Sequence, residues 1–184
     1  MKHASPPARH SETQQRWQEM HRRHAALRRV IDSGRIDESD PELRAAFPDR
    51  DDLVRALVQH WTTLIGGCLD FALEVGEEND SAESLREAHR AAMRREPALY
   101  ALVLHASRGP LGHMLVEREY LRLAFAVGLA TPGTSTAAAA RQVAAILDAV
   151  PTPPAISRPS WLRTTVDWLS GREPVRPGVT ELLH

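Results

Sequence analysis

Nine histidines and 24 acidic residues in a chain of 184 invite a search for metal or acid–base chemistry. The useful spacings are few. His113 and Glu117 stand four residues apart, and His21 and His24 stand three apart, so each pair shares one face of a helix. A pair is not a site, because structural or catalytic zinc takes three or four protein ligands. Neither the Glu-x-x-His repeat of di-iron bundles nor a His-Glu-x-x-His element occurs. A metal or haem site at His113 and Glu117 is therefore the third-ranked reading, and no cofactor is expected. His24, His89 and His105 fall at apolar helical positions and read as partly buried, hydrogen-bonded histidines.

Nucleophilic chemistry is equally thin. There is no Gly-x-Ser-x-Gly elbow. Cys68, the sole cysteine, lies in an apolar stripe without a basic neighbour, which disfavours its thiolate. Glu117 and Glu119 point to different sides of a helix and make a poor acid–base pair. Nothing in the chain asks for an enzyme.

The elements that would position these residues are helices. From Asp49 to Val75, apolar residues recur at three- and four-residue steps: Leu53, Val54, Leu57, Val58, Trp61, Leu64, Ile65, Cys68, Ala72, Val75. Asp49 can cap this helix, Asp51 and Asp52 suit the positive end of its dipole, and Gly76 is a natural stop. Gly66-Gly67 inside it points to close approach by another helix in preference to a kink. Before it, Ser11 and Gln14 form a capping box, and the helix that follows to about Asp32 carries a seam of Trp17, Met20, His24, Leu27 and Ile31. Pro41 opens a short helix. Asp80 with Glu83 starts a fourth, Pro97 a fifth, and Leu111–Ala130 and Thr136–Val150 form a sixth and seventh.

The spacing predicts an all-α single bundle of seven to eight helices. Residues 1–10 are a disordered arm, 11–150 the bundle, 151–157 a Pro-rich linker, and 158–184 an amphipathic helix and tail bearing Trp161, Leu162, Val166, Trp168 and Leu169. The formal net charge is −1 and 42% of residues are hydrophobic, which gives no global pull toward nucleic acid or acidic lipid. No apolar run is long enough for a membrane span, and no signal-peptide core precedes residue 10. Together with a lone thiol this predicts a cytoplasmic protein. Arginine supplies every basic residue except Lys2, which fits a GC-rich bacterial coding bias.

One segment resembles a known family. Phe47-Pro48-Asp49-Arg50-Asp51-Asp52-Leu53-Val54-Arg55-Ala56-Leu57 is similar to the junction leading into the fourth helix of tetracycline-repressor-type (TetR family) regulators. The resemblance extends loosely to Val150. It implies central helices around a small-molecule pocket and a final helix pair that builds a dimer interface. The departure lies upstream: residues 33–43 are acidic and proline-interrupted, where that family carries a helix-turn-helix.

These readings converge on a non-enzymatic, regulatory binding domain. It is expected to be a homodimer, with Ala137–Ala140 close to Ala124–Ala130, and to hold a small apolar ligand or a partner helix. The expected inner lining is Leu57, Trp61, Ile65, Tyr100, Leu104 and Phe125. The second-ranked reading is a transcription-associated factor that contacts nucleic acid through Arg22, Arg23, Arg28 and Arg29. The near-neutral total charge weighs against a dominant phosphate footprint.

Overall fold

A computed structural model describes residues 8–37, 39–75, 80–148 and 150. Among them the chain is all-α, with seven helices and no strand: α1 (Ala8–Ser33), α2 (Pro41–Ala46), α3 (Arg50–Val75), α4 (Ser81–Arg95), α5 (Pro97–Ala106), α6 (Pro110–Ala126) and α7 (Thr136–Asp148). The linker, the C-terminal amphipathic segment and the Gly76 stop expected from the sequence lie outside the described residues.

The helix starts follow local chemistry. The Asp40 carboxylate accepts from the Glu42 N–H at 2.8 Å, the Asp49 carboxylate from Asp51 at 3.0 Å, and the Asp80 carboxylate from Glu83 at 2.8 Å. Proline occupies the first turn of α2, α5 and α6, where its missing N–H costs no hydrogen bond. One start differs from expectation. α1 begins at Ala8, so Ser11 lies inside the helix and not at its start.

α6 is shorter than its apolar run. It stops at Ala126 because Gly128 adopts φ 73°, which only glycine takes readily. The Leu129 N–H then donates to the Ala124 carbonyl at 2.8 Å and the Gly128 N–H to Phe125 at 3.2 Å, a Schellman closure.

α3 is the central post and packs against α4, α5 and α6, while α7 packs on α6 and α4. Its inward residues Leu53, Leu57, Ile65 and Leu69 are fully enclosed. Gly66 answers the glycine question in part. A Cβ there would stand 3.3 Å from Nη2 of Arg122 on α6, so the close neighbour is a guanidinium and not a helix backbone. That guanidinium holds the buried Glu119 carboxylate through bonds of 2.7 and 3.0 Å.

The α1 seam is only half used. Ala26, Leu27, Val30 and Ile31 are buried, but Trp17 and Met20 are 59% and 58% exposed, and His24 is exposed too. Only the C-terminal half of α1 reaches the other helices; the rest overhangs. The small residues of α6 and α7 also have a use inside the chain. Ala124, Ala139 and Ala140 are buried where the two helices pack together, while Ala126 and Ala137 of the same small-residue runs are exposed.

Candidate functional site

None of the residues expected to line a pocket lines the groove found among the described residues. Leu57, Trp61 and Ile65 are closed core, and Tyr100 is half-buried beside them. Leu104 and Phe125 are corrections: they are 47% and 45% exposed, on the outer sides of α5 and α6. α5 is apolar nearly all round, and periodicity cannot say which side of such a helix meets solvent.

What the core holds instead is an aromatic cluster. Trp61 lies 5.8 Å from His89 and 5.4 Å from Tyr100 between ring centroids, and His89 lies 5.5 Å from Tyr100, edge to face. His89 is buried and its Nδ1 has no hydrogen-bond partner among the described residues. Burial pushes its pKa down to about 4, so the ring is neutral. Burial likewise pushes the Tyr120 hydroxyl up to about 12, with Tyr100 and Asp148 adding to the effect. The cluster packs Trp61 and His89 in the core with Tyr100 half-buried beside them, and no lining residue of the groove described next belongs to it.

The open space lies on the other side of α3. A groove of about 720 Å³ runs between α3 and α4 and ends against α1. Its α3 wall is a stripe of Leu64, Cys68, Phe71 and Val75, at steps of four, three and four, the pattern of a helix face that packs on another helix. Phe71 is 67% and Val75 69% exposed, so this part of the stripe is left uncovered by the described residues. The floor is made of small residues, Gly67, Ala72, Ala88 and Ala91. A Cβ at Gly67 would meet nothing within 4 Å.

One end of the groove is charged. Arg28 of α1 donates to Glu96 at 2.9 Å, which raises the guanidinium pKa, and His60 Nε2 lies 3.6 Å from the other Glu96 oxygen. Arg94 and Arg95 close the same end, exposed and without an ion pair to any described residue. Glu87 stands on α4 two helical turns away. From His60 to Val75 the α3 wall rises about 22 Å at about 1.5 Å per residue.

The four arginines of the nucleic-acid reading are engaged within the chain. Arg22 pairs with Glu19, Arg28 with Asp32 and Glu96, and Arg29 with Glu42 and Asp40. The Arg23 guanidinium sits 4.8 Å over the Phe47 ring. His113 and Glu117 do meet, at 3.5 Å, but on an exposed face; no group of three or more potential metal ligands occurs among the described residues. His21 stacks on Trp17 at 3.8 Å.

Sequence reasoning placed Leu64, Cys68 and Val75 on α3's apolar face; Leu64 and Cys68 do pack partly buried against the core, while Val75 is exposed. Arg94 and Arg95 were missed, because two arginines ending an amphipathic helix look like ordinary dipole complements. No helix of the described residues is long and apolar enough to cross a membrane. Comparison with protein-family models, with curated proteins and with solved structures found no match.

Proposed function

We propose that this is a non-enzymatic recognition domain whose α3/α4 groove takes an amphipathic helix with acidic residues near one end. The observation that carries this reading is the α3 stripe Leu64, Cys68, Phe71, Val75, whose last two side chains are exposed, above small residues and closed at one end by two arginines without an ion pair to any described residue. An apolar helix face anchored at i, i+4 and i+7 fits such a surface, and Gly67 with Ala88 and Ala91 leaves room for its side chains. The pair Arg94 and Arg95 gives the occupant a direction and supplies steering. The tetracycline-repressor-type resemblance adds a regulatory role to this reading, and the free thiol suits a reducing, cytoplasmic setting. A second copy of the chain is one possible source of the helix.

The test uses a fluorescein-labelled, designed 15-residue peptide with leucines at matching steps and two glutamates at one end. Its anisotropy should report micromolar binding. Affinity should fall tenfold or more in Phe71→Glu, in Gly67→Leu, whose Cβ meets nothing within 4 Å, and in the Arg94→Glu/Arg95→Glu double variant at low salt. Equal affinity for all four proteins would remove the groove as the site.

A further inference from the structure

The α3/α4 groove changes character once along its length. One end is charged, with Arg94 and Arg95 beside the His60–Glu96 contact. Beyond it the α3 wall is apolar through Leu64, Cys68, Phe71 and Val75. We propose that the groove binds a single-chain aliphatic carboxylate, a free fatty acid, with its head at Arg94 and Arg95 and its chain along the α3 stripe. Such a ligand competes with a helix for the site. The inference rests on the groove being the recognition site, and not on its occupant being a helix.

The first argument is the sign of the charged end. Arg94 and Arg95 are exposed and have no ion pair to any described residue. Glu96 is already engaged. One of its oxygens accepts from Arg28 at 2.9 Å. The other is enclosed 3.6 Å from His60 Nε2, with no hydrogen-bond partner among the described residues. Glu87, the other acid of the lining, precedes Arg94 by about 10 Å of helix rise. A carboxylate fits a guanidinium fork through two parallel hydrogen bonds, and a carboxylic acid is ionised at pH 7.

The second argument is length. Leu64 follows His60 by one helical turn, so the apolar wall starts where the charge stops. From Leu64 to Val75 the wall rises about 16 Å. The hydrocarbon layer of a bilayer, about 30 Å, is two acyl chains deep, so one chain spans about 15 Å.

Room is the third argument. The groove volume of about 720 Å³ lies in the range of small-molecule sites. Ala88 and Ala91 fill little of it, and a Cβ at Gly67 would meet nothing within 4 Å. A chain laid in this slot covers Phe71 and Val75, which are otherwise exposed.

Cys68 reports on the chain, because it is the sole cysteine and stands between Leu64 and Phe71 on the stripe. Its reaction with neutral 4,4′-dithiodipyridine is followed at pH 7 with sodium laurate added below its micelle-forming concentration. Saturating laurate should slow the reaction at least fivefold. Decanoate, two methylenes shorter, should need at least threefold more for the same protection, since a fully buried methylene is worth about fourfold. Methyl laurate, which carries no charge, should need at least tenfold more. The Arg94→Gln/Arg95→Gln variant should need at least tenfold more laurate. The absence of protection by laurate would overturn the proposal. So would equal protection by acid and ester, or protection that appears only with micelles. The designed 15-residue peptide separates this proposal from the helix reading, and laurate should displace it. If the peptide binds while laurate neither displaces it nor protects Cys68, the helix stands and the fatty acid falls. If laurate protects as expected and the peptide does not bind, the fatty acid stands and the helix falls.

Discussion

Acidification should unfold this protein through His89. The ring is 6% exposed, its Nδ1 has no hydrogen-bond partner among the described residues, and it is walled by Trp61 and Tyr100. Burial holds its folded pKa at about 4, against about 6.5 in an unfolded chain. Between those values the unfolded state binds the proton and the native state does not, so stability falls as pH falls. The loss is absent above about pH 6.5 and complete below about pH 4. At about 1.4 kcal/mol per pKa unit it amounts to roughly 1.4 kcal/mol at pH 5.5 and roughly 2.5 kcal/mol at pH 4.5. Urea unfolding followed by circular dichroism at pH 7, 5.5 and 4.5 measures this directly. His89→Leu keeps the packing volume and removes the proton site, so its stability should decline less by those amounts. The Asp37 carboxylate is held low by Ser39, and that of Glu83 by Arg86 and Arg90. Both act in the two proteins alike and cancel in the difference. If the wild type and His89→Leu lose the same stability between pH 7 and 4.5, the ring is charged in the native state and the account of the core is wrong.

Further outcomes follow from the packing. Gly67→Ala should raise stability by roughly 0.5–1 kcal/mol in chemical unfolding, since the new methyl meets nothing and the helix gains propensity. Gly112→Ala should lower it by about 3 kcal/mol or prevent folding, because the Cβ would stand 2.0 Å from the Ala106 carbonyl oxygen. Arg122→Ala leaves the buried Glu119 carboxylate without its cation and should cost about 2 kcal/mol, discounted for the half-exposed guanidinium. Adding Glu119→Leu should recover most of that loss, a coupling that a double-mutant cycle reads. Leu57→Ala should cost about 2–5 kcal/mol through the cavity it opens, seen as a lowered urea midpoint.

Helix identity was legible because its causes are local. The aspartates at 40, 49 and 80 and the prolines at 41 and 97 act within one turn of their own positions, and each begins a helix where the spacing put it. Which face of a helix is covered was less legible, because that depends on neighbours distant in sequence. Phe71 and Val75 share the α3 stripe with the partly buried Leu64 and Cys68, yet both are exposed. Trp17 and Met20 keep the period of Leu27 and Ile31, yet no helix of the described residues covers them. The partners of Arg22, Arg23 and Arg29 lie at Glu19, Phe47 and Glu42; only the first is close enough along the chain to be read from spacing. Glu119 was the hardest residue. A carboxylate enclosed beside Arg122 and Gly66 has no periodic signature, and the glycine that admits the guanidinium belongs to another helix.

The overhang of α1 is held at one end only. An isolated helix of about a dozen residues is marginal in water, since nucleating the first turn is costly. The turns carrying Trp17 and Met20 therefore inherit their order from Ala26, Leu27, Val30 and Ile31, which act as a clamp on the bundle. Loosening that clamp, as with Val30→Ala, would unwind a region some three turns away without touching any atom in it. Whatever the outer face of the overhang meets, its presentation is governed from inside the domain.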